Sequence, residues 1–244
     1  MKKTIIVLFL LASVAGFSQK GIYFGIGGFA GSSGVVNQNV YGYPELDYEF
    51  PFSYGFNANV GFGFTDNLGV IMHIGYAKLG QKYSDLRGDS TFVRNFEMSY
   101  LTVPVMFRYT SGGKVARFYA SAGPEMAFLL SAEQEYTYQT PSMSEPAQYE
   151  EWVVNKDGEA FNVGDPDIEE RMTPIDIMAR IDVGVNISLM QNLLLDVGLT
   201  MNYGLTDLNA PAYRIEDYSG NYNPSHNFYG GITLGLNYRI PIGE

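Results

Sequence analysis

Between residues 52 and 64 the chain alternates without a break, and that constrains its fold more than any other feature. Even positions carry Phe52, Tyr54, Phe56, Ala58, Val60, Phe62 and Phe64, while odd positions carry Ser53, Gly55, Asn57, Asn59, Gly61 and Gly63. A period of two sends one set to each face of a strand and cannot make a one-sided helix. The same period recurs at 175–189, where Ile175, Ile177, Ile181, Val183 and Val185 oppose Asp176, Arg180, Asp182 and Asn186. It returns at 193–205 and 228–240, and more loosely at 22–30, 68–83, 95–109 and 116–131. Eight strands result. Their connections alternate between short (65–67, 110–115, 190–192) and long (31–51, 84–94, 132–174, 209–226).

Lys2 and Lys3 precede an apolar run at 5–15 that ends in Gly16-Phe17-Ser18, the pattern of a secretory signal peptide cleaved after Ser18. The run is too short for a spanning helix, which weighs against a retained anchor. The expected organisation is therefore a signal peptide at 1–18 and one domain at 19–244. No later stretch is long and apolar enough for a membrane helix, so any crossing must be made by strands. The absence of cysteine excludes a disulfide framework, a thiolate metal site and a cysteine nucleophile. A net charge of -11, with 15 Lys and Arg, weighs against a nucleic-acid partner. No phosphate loop, zinc spacing or nucleophile elbow is present.

A soluble lipocalin-like barrel would show the same alternation with its apolar face inside. Here the polar face is mostly Gly, Asn, Ser and Asp, small groups suited to a narrow interior, and the apolar face is too aromatic to fit within eight strands. The expected fold is thus all-β: an eight-stranded antiparallel up-and-down transmembrane β-barrel with short periplasmic turns and four long extracellular loops. Phe52, Phe64, Tyr76, Tyr109, Phe118, Phe128 and Tyr203 are the expected interfacial girdles. Arg108, Glu125, Asp176, Arg180, Asp182, Asp196 and Arg239 have interior parity, and each would cost a few kcal/mol facing lipid at mid-depth. They are expected to form an ion-paired lumen cluster centred on Arg180, with Asp182, Asp196 and Glu125 as partners. Its expected role is to plug the barrel, with conduction or catalysis as the alternatives.

Three stretches resemble the small outer-membrane β-barrel proteins of Bacteroidetes, the porin-family or PorT-like barrels. Residues 100–109, YLTVPVMFRY, are similar to that family's fourth strand; residues 118–125, FYASAGPE, to its fifth; and residues 203–208, YGLTDL, to the end of its seventh. The resemblance covers nearly the whole chain and implies an outer-membrane location. The chain departs from it after Tyr238, running Arg239-Ile240-Pro241-Ile242-Gly243-Glu244 where such barrels end on an aromatic residue. Pro104 and Pro124 lack a ladder donor and are expected at bulges or breaks in pairing.

Residues 132–174 hold 11 Asp and Glu against Lys156 and Arg171. Asp165 and Asp167, or Glu169 and Glu170, are candidate calcium ligands, but without EF-hand spacing the simpler reading is a solvated acidic loop. Trp152, the single indole, is expected to anchor this loop on the rim, with contact to a partner as the alternative. Trp152, Asp165 and Asp167 are the candidate loop-contact residues. Residues 31–51 add a second acidic and aromatic surface. His73 and His226 have no serine and acid arranged around them in sequence, so both are read as structural, and no catalytic residue, cofactor or metal is assigned. The expected function is a non-enzymatic outer-membrane scaffold with a filled lumen, contacting membrane lipid and engaging an envelope or surface partner through its loops. A narrow porin-like channel and an accessory role in secretion are the alternatives.

Overall fold

In the computed structural model, which describes residues 20–113, 115–217 and 219–242, eight long strands close into a ring. They are β1 (Gly21–Val36), β2 (Phe52–Gly63), β3 (Leu68–Arg87), β4 (Ser90–Thr110), β5 (Ala116–Gln139), β6 (Ile175–Ser188), β7 (Leu193–Gly204) and β8 (His226–Pro241). Each pairs antiparallel with its neighbour in sequence, and β8 closes on β1 from Gly21↔Pro241 to Val36↔His226. The expected signal segment, 1–18, lies outside the described residues.

The face assignment follows the alternation. On β2, Ser53 and Gly55 are buried inside while Phe52, Phe56 and Phe62 are exposed. On β6, Asp176, Met178, Arg180, Asp182 and Asn186 are buried, and Ile175, Ile177, Ile181, Val183 and Val185 are exposed. Such a continuous apolar exterior would promote aggregation in water, whereas in a bilayer it matches its surroundings. Of the expected girdle residues, Phe52, Phe64, Tyr109, Phe118 and Tyr203 are exposed, and Tyr76 and Phe128 are half-buried.

Two features differ from the expectation. Residues 84–94 are not a loop: the ladder of β3 and β4 continues to Arg87↔Ser90, and the turn closes through Gly88, whose φ of 62° favours glycine. The barrel therefore carries three long loops and one protruding hairpin. Alternation fails as a guide there because these strand ends rise above the lipid, where loops cover one face and water the other. Secondly, β5 runs to Gln139, well past residue 131, because a bulge shifts its pairing: Tyr100 pairs with Leu129 but Ser99 with Ser131. Leu130 is the extra residue, and it flips the parity, so Glu125 and Ala127 face inward below it and Ala132, Gln134 and Tyr136 above it. The prolines break the ladder, as expected, and do so without shifting its register. Pairing skips from Met72↔Val105 to Gly75↔Thr102 around Pro104, and from Pro104↔Glu125 to Phe107↔Ala122 around Pro124.

The long loops carry structure of their own. Asp47–Glu49 pairs with β3, Ala147–Gln148 extends the sheet beside β5, and Trp152–Val154 forms a small hairpin with Ala160–Asn162. Single 3-10 turns occur at Glu169–Arg171 and Pro211–Tyr213.

Candidate functional site: a layered polar lumen beneath a folded cap

Because β4 to β8 present inward charges at different heights, the lumen is built in layers. In the middle layer Arg180 on β6 donates to Glu125 on β5 at 3.1 Å and to Asp182, two residues along its own strand, at 3.0 Å. Tyr229 on β8 donates to the other Glu125 oxygen at 2.6 Å. Glu125 is fully buried and Arg180 nearly so. Burying these charges is tolerable only because every one of them has a partner of opposite sign or a hydrogen bond.

The next layer towards the turn end is separate. Arg108 donates to Asp196 at 2.7 Å, and the amides of Asn186 and Asn237 reach the same carboxylate at 2.5 Å and 3.2 Å. The Arg108 guanidinium lies 4.0 Å from the centroid of the Tyr119 ring. Gly184 and Gly198, paired in register, make room for that ring: a Cβ on either would stand 2.8 Å or 2.5 Å from the Tyr119 hydroxyl. Asp196 therefore belongs to Arg108, correcting the expectation that it pairs with Arg180. The register explains this, since Arg180 opposes Asn202 and Asp196 opposes Asn186.

Asp176 and Arg239 also lie away from Arg180. Asp176 sits nearer the loops, accepting from Thr206 at 2.6 Å and from Asn227 at 2.9 Å, while Asn227 also donates to the Tyr100 hydroxyl. Arg239 is at the turn end of β8, in register with Tyr23, and reaches the Gln191 carbonyl. The lumen is not solid throughout. A cavity of about 40 Å³ lies among Asn57, His73, Arg180 and Asp196, and another of about 40 Å³ at the turn end among Tyr23, Arg108, Asn186 and Asp196.

The loop end, by contrast, is closed by an apolar cap. Tyr41, Leu46, Val163, Ile168, Met172 and Leu208 from the loops are buried against Leu79, Tyr83, Phe96, Met98 and Tyr136 from the strands. Three side chains that the sequence reading passed over fasten it. Arg94 donates to Gln134 at 2.9 Å and to the Asn39 carbonyl, and its guanidinium lies over Tyr41. Gln134 donates to the carbonyls of Val163 and Asp165, and Arg171 to those of Val163 and Asn162. Their signal was available only in part: Arg94 and Gln134 acquire interior parity once the strands are extended and the bulge is known. The segment at 203–208 ties the rim to the last loop, with Thr206 on Asp176 and Asp207 accepting from Tyr222 and from the Ser225 amide.

In the loops, burial pushes the Tyr149 hydroxyl up to about 12, with Tyr136 and Glu151 adding to it. Tyr43 is pushed up to about 12 by burial and then by its hydrogen bond to Glu151. Trp152 does not anchor the loop: it is 69% exposed, and Val153 packs against the cap instead, because adjacent strand residues face opposite ways. Asp165 and Asp167 each accept a backbone amide two residues on, as turn formers. Among the described residues no three carboxylate or imidazole groups come together to hold a metal ion. His73 bonds Asn57 at 2.9 Å, and His226 bonds the Thr206 carbonyl and stacks on Tyr203.

A closed antiparallel ring, apolar outside and charged within, defines a membrane-embedded β-barrel of the up-and-down class. Residues 17–210 match the outer membrane protein beta-barrel domain, and the chain belongs to that family, whose setting is the outer membrane. No curated protein matches the chain. Among solved structures it is similar to Neisserial surface protein A at 10% identity, with 91% of this chain and 98% of that one covered and a TM-score of 0.43. It is also similar to the outer membrane protein OprG of Pseudomonas aeruginosa at 12% identity, with 93% and 99% covered and a TM-score of 0.42. A third is Ail, the attachment invasion locus protein of Yersinia pestis, at 14% identity, with 91% and 100% covered and a TM-score of 0.39.

Proposed function

We propose that the protein is a closed, non-enzymatic scaffold whose acidic loop surface engages a partner in the envelope or outside the cell. On this reading residues 1–18 are a signal peptide, residues 19–244 the mature barrel, and the long loops face outward. On the motifs at 100–109, 118–125 and 203–208 we assign it to the PorT-like barrels. The carrying observation is the cap, in which residues from all three long loops are buried together across the mouth, above the Arg180–Glu125 pair. Above the cap, Trp152 and Val154 stand exposed among Glu150, Glu151, Asp157 and Glu159, an apolar spot in an acidic field. That chemistry fits a partner surface with basic groups around an apolar contact. Against catalysis, the two histidines are held by an amide and a carbonyl rather than by a nucleophile and an acid.

A narrow channel is the competing reading, favoured by the two cavities below the cap. Single-channel recording in planar bilayers separates the two. The intact barrel is expected to be silent, and a variant with residues 141–167 replaced by a short Gly-Ser linker is expected to show open steps. Stable openings in the intact protein would make the channel the better reading.

A further inference from the structure

Arg117, the second residue of β5, points into the turn end of the lumen and is only 6% exposed. Among the described residues it forms no ion pair; one terminal nitrogen donates to the Ser188 hydroxyl at 3.2 Å, and its Nε is buried with no hydrogen-bond partner there. Among the described residues the charged groups acting on it are Arg239, Arg108 and Asp196, with the Tyr23 hydroxyl beside them. Asp196 is the one acid among them, and its oxygens are already occupied by Arg108, Asn186 and Asn237. Every other buried arginine of the lumen or cap has either a carboxylate or two or more hydrogen bonds to oxygen. A guanidinium withdrawn from water without a counter-charge is costly, and a planar donor fork with free N–H groups matches the oxygens of a carboxylate or phosphate.

We propose that the turn-end mouth of the barrel binds a small oxyanion, a phosphate or carboxylate group, on Arg117. Ser188 completes the cradle: its oxygen accepts from Arg117, which leaves its hydroxyl proton to donate to the anion. Asn186, the register partner of Arg117 on β6, lines a small cavity of about 40 Å³ at that end, which sets Arg117 beside the turn-end opening. Access is thus from the side opposite the cap, so an anion can load while the loop end stays shut. The two ends then carry opposite chemistry, acidic groups outside the cap and a cluster of guanidiniums inside the turn-end mouth.

The test uses the purified barrel in a zwitterionic detergent, its thermal unfolding followed by the mobility shift between folded and heat-denatured forms. Inorganic phosphate and acetate are titrated separately, with chloride adjusted to hold ionic strength constant. The barrel is expected to unfold higher by about 5 °C in saturating phosphate or acetate, and whichever anion acts at the lower concentration identifies the preferred class. Arg117→Met is expected to lose the response and to unfold no lower than the unmodified barrel without added anion, since it removes an uncompensated charge. Arg117→Lys keeps the charge without the fork and is expected to bind at least ten-fold more weakly. Should Arg117→Met fail to fold, Ser188→Ala, with a reduced response, serves in its place. An unmodified barrel indifferent to both anions, or an Arg117→Met barrel that keeps the response, would overturn the proposal.

Discussion

Glu125 shows how a single buried charge is held. Its carboxylate takes one bond from Arg180 and one from Tyr229, and Arg180 in turn reaches Asp182. Removing one partner leaves the others charged and dry, so Glu125→Ala is expected to lower stability by about 3–5 kcal/mol. The triple change Glu125→Leu, Arg180→Met, Asp182→Leu is expected to be close to neutral, since it removes the charges together. Urea unfolding in lipid vesicles measures both, and equal losses would show that the three do not act as one unit. That Glu125 and Arg180 face inward was legible from parity, because a charge at mid-depth on the lipid face is too costly. Which acid meets which arginine was not legible. Asn202 and Asp196, opposite Arg180 and Asn186, sit at heights separated by six residues of β6, about 20 Å along the strand. Parity carries no information about height.

The element that most changes the outcome is β5. Below Leu130 it behaves as the alternation says, and above it the one-residue bulge turns Ala132, Gln134 and Tyr136 into the cap. Inserting one residue between Ser99 and Tyr100 gives Leu130 a partner, removes the bulge and should send Tyr136 outward and Glu133 and Glu135 inward. The expected result is a barrel that still resists heat denaturation but whose residues 140–174 become open to protease in reconstituted vesicles. A cap still protected after the insertion would show that the loops close the mouth without the bulge. The β3–β4 hairpin shows the same limit on reading by pattern. Its upper half pairs as regularly as its lower half, yet without lipid on one side it has no reason to alternate.

At the scale of the whole molecule, an apolar band, a charged lumen and a folded loop end form one closed body. If the loops face outward, trypsin added to intact cells should cut after Lys156, exposed between the strands of the Trp152–Val154 and Ala160–Asn162 hairpin, and leave the barrel in the membrane. Cutting only after lysis would reverse the orientation. The amino-acid sequence by itself determined the strand count, the face each strand turns to lipid and the set of charges that must lie inside. Those follow from a period of two and from the cost of a charge in hydrocarbon, both local properties. Only the tertiary structure decided the pairing of Asp196 with Arg108, the exposure of Trp152 and the folding of three loops into one cap. Each of these depends on register, on a bulge or on contacts between segments far apart in the chain, and such quantities exist only once the ring has closed.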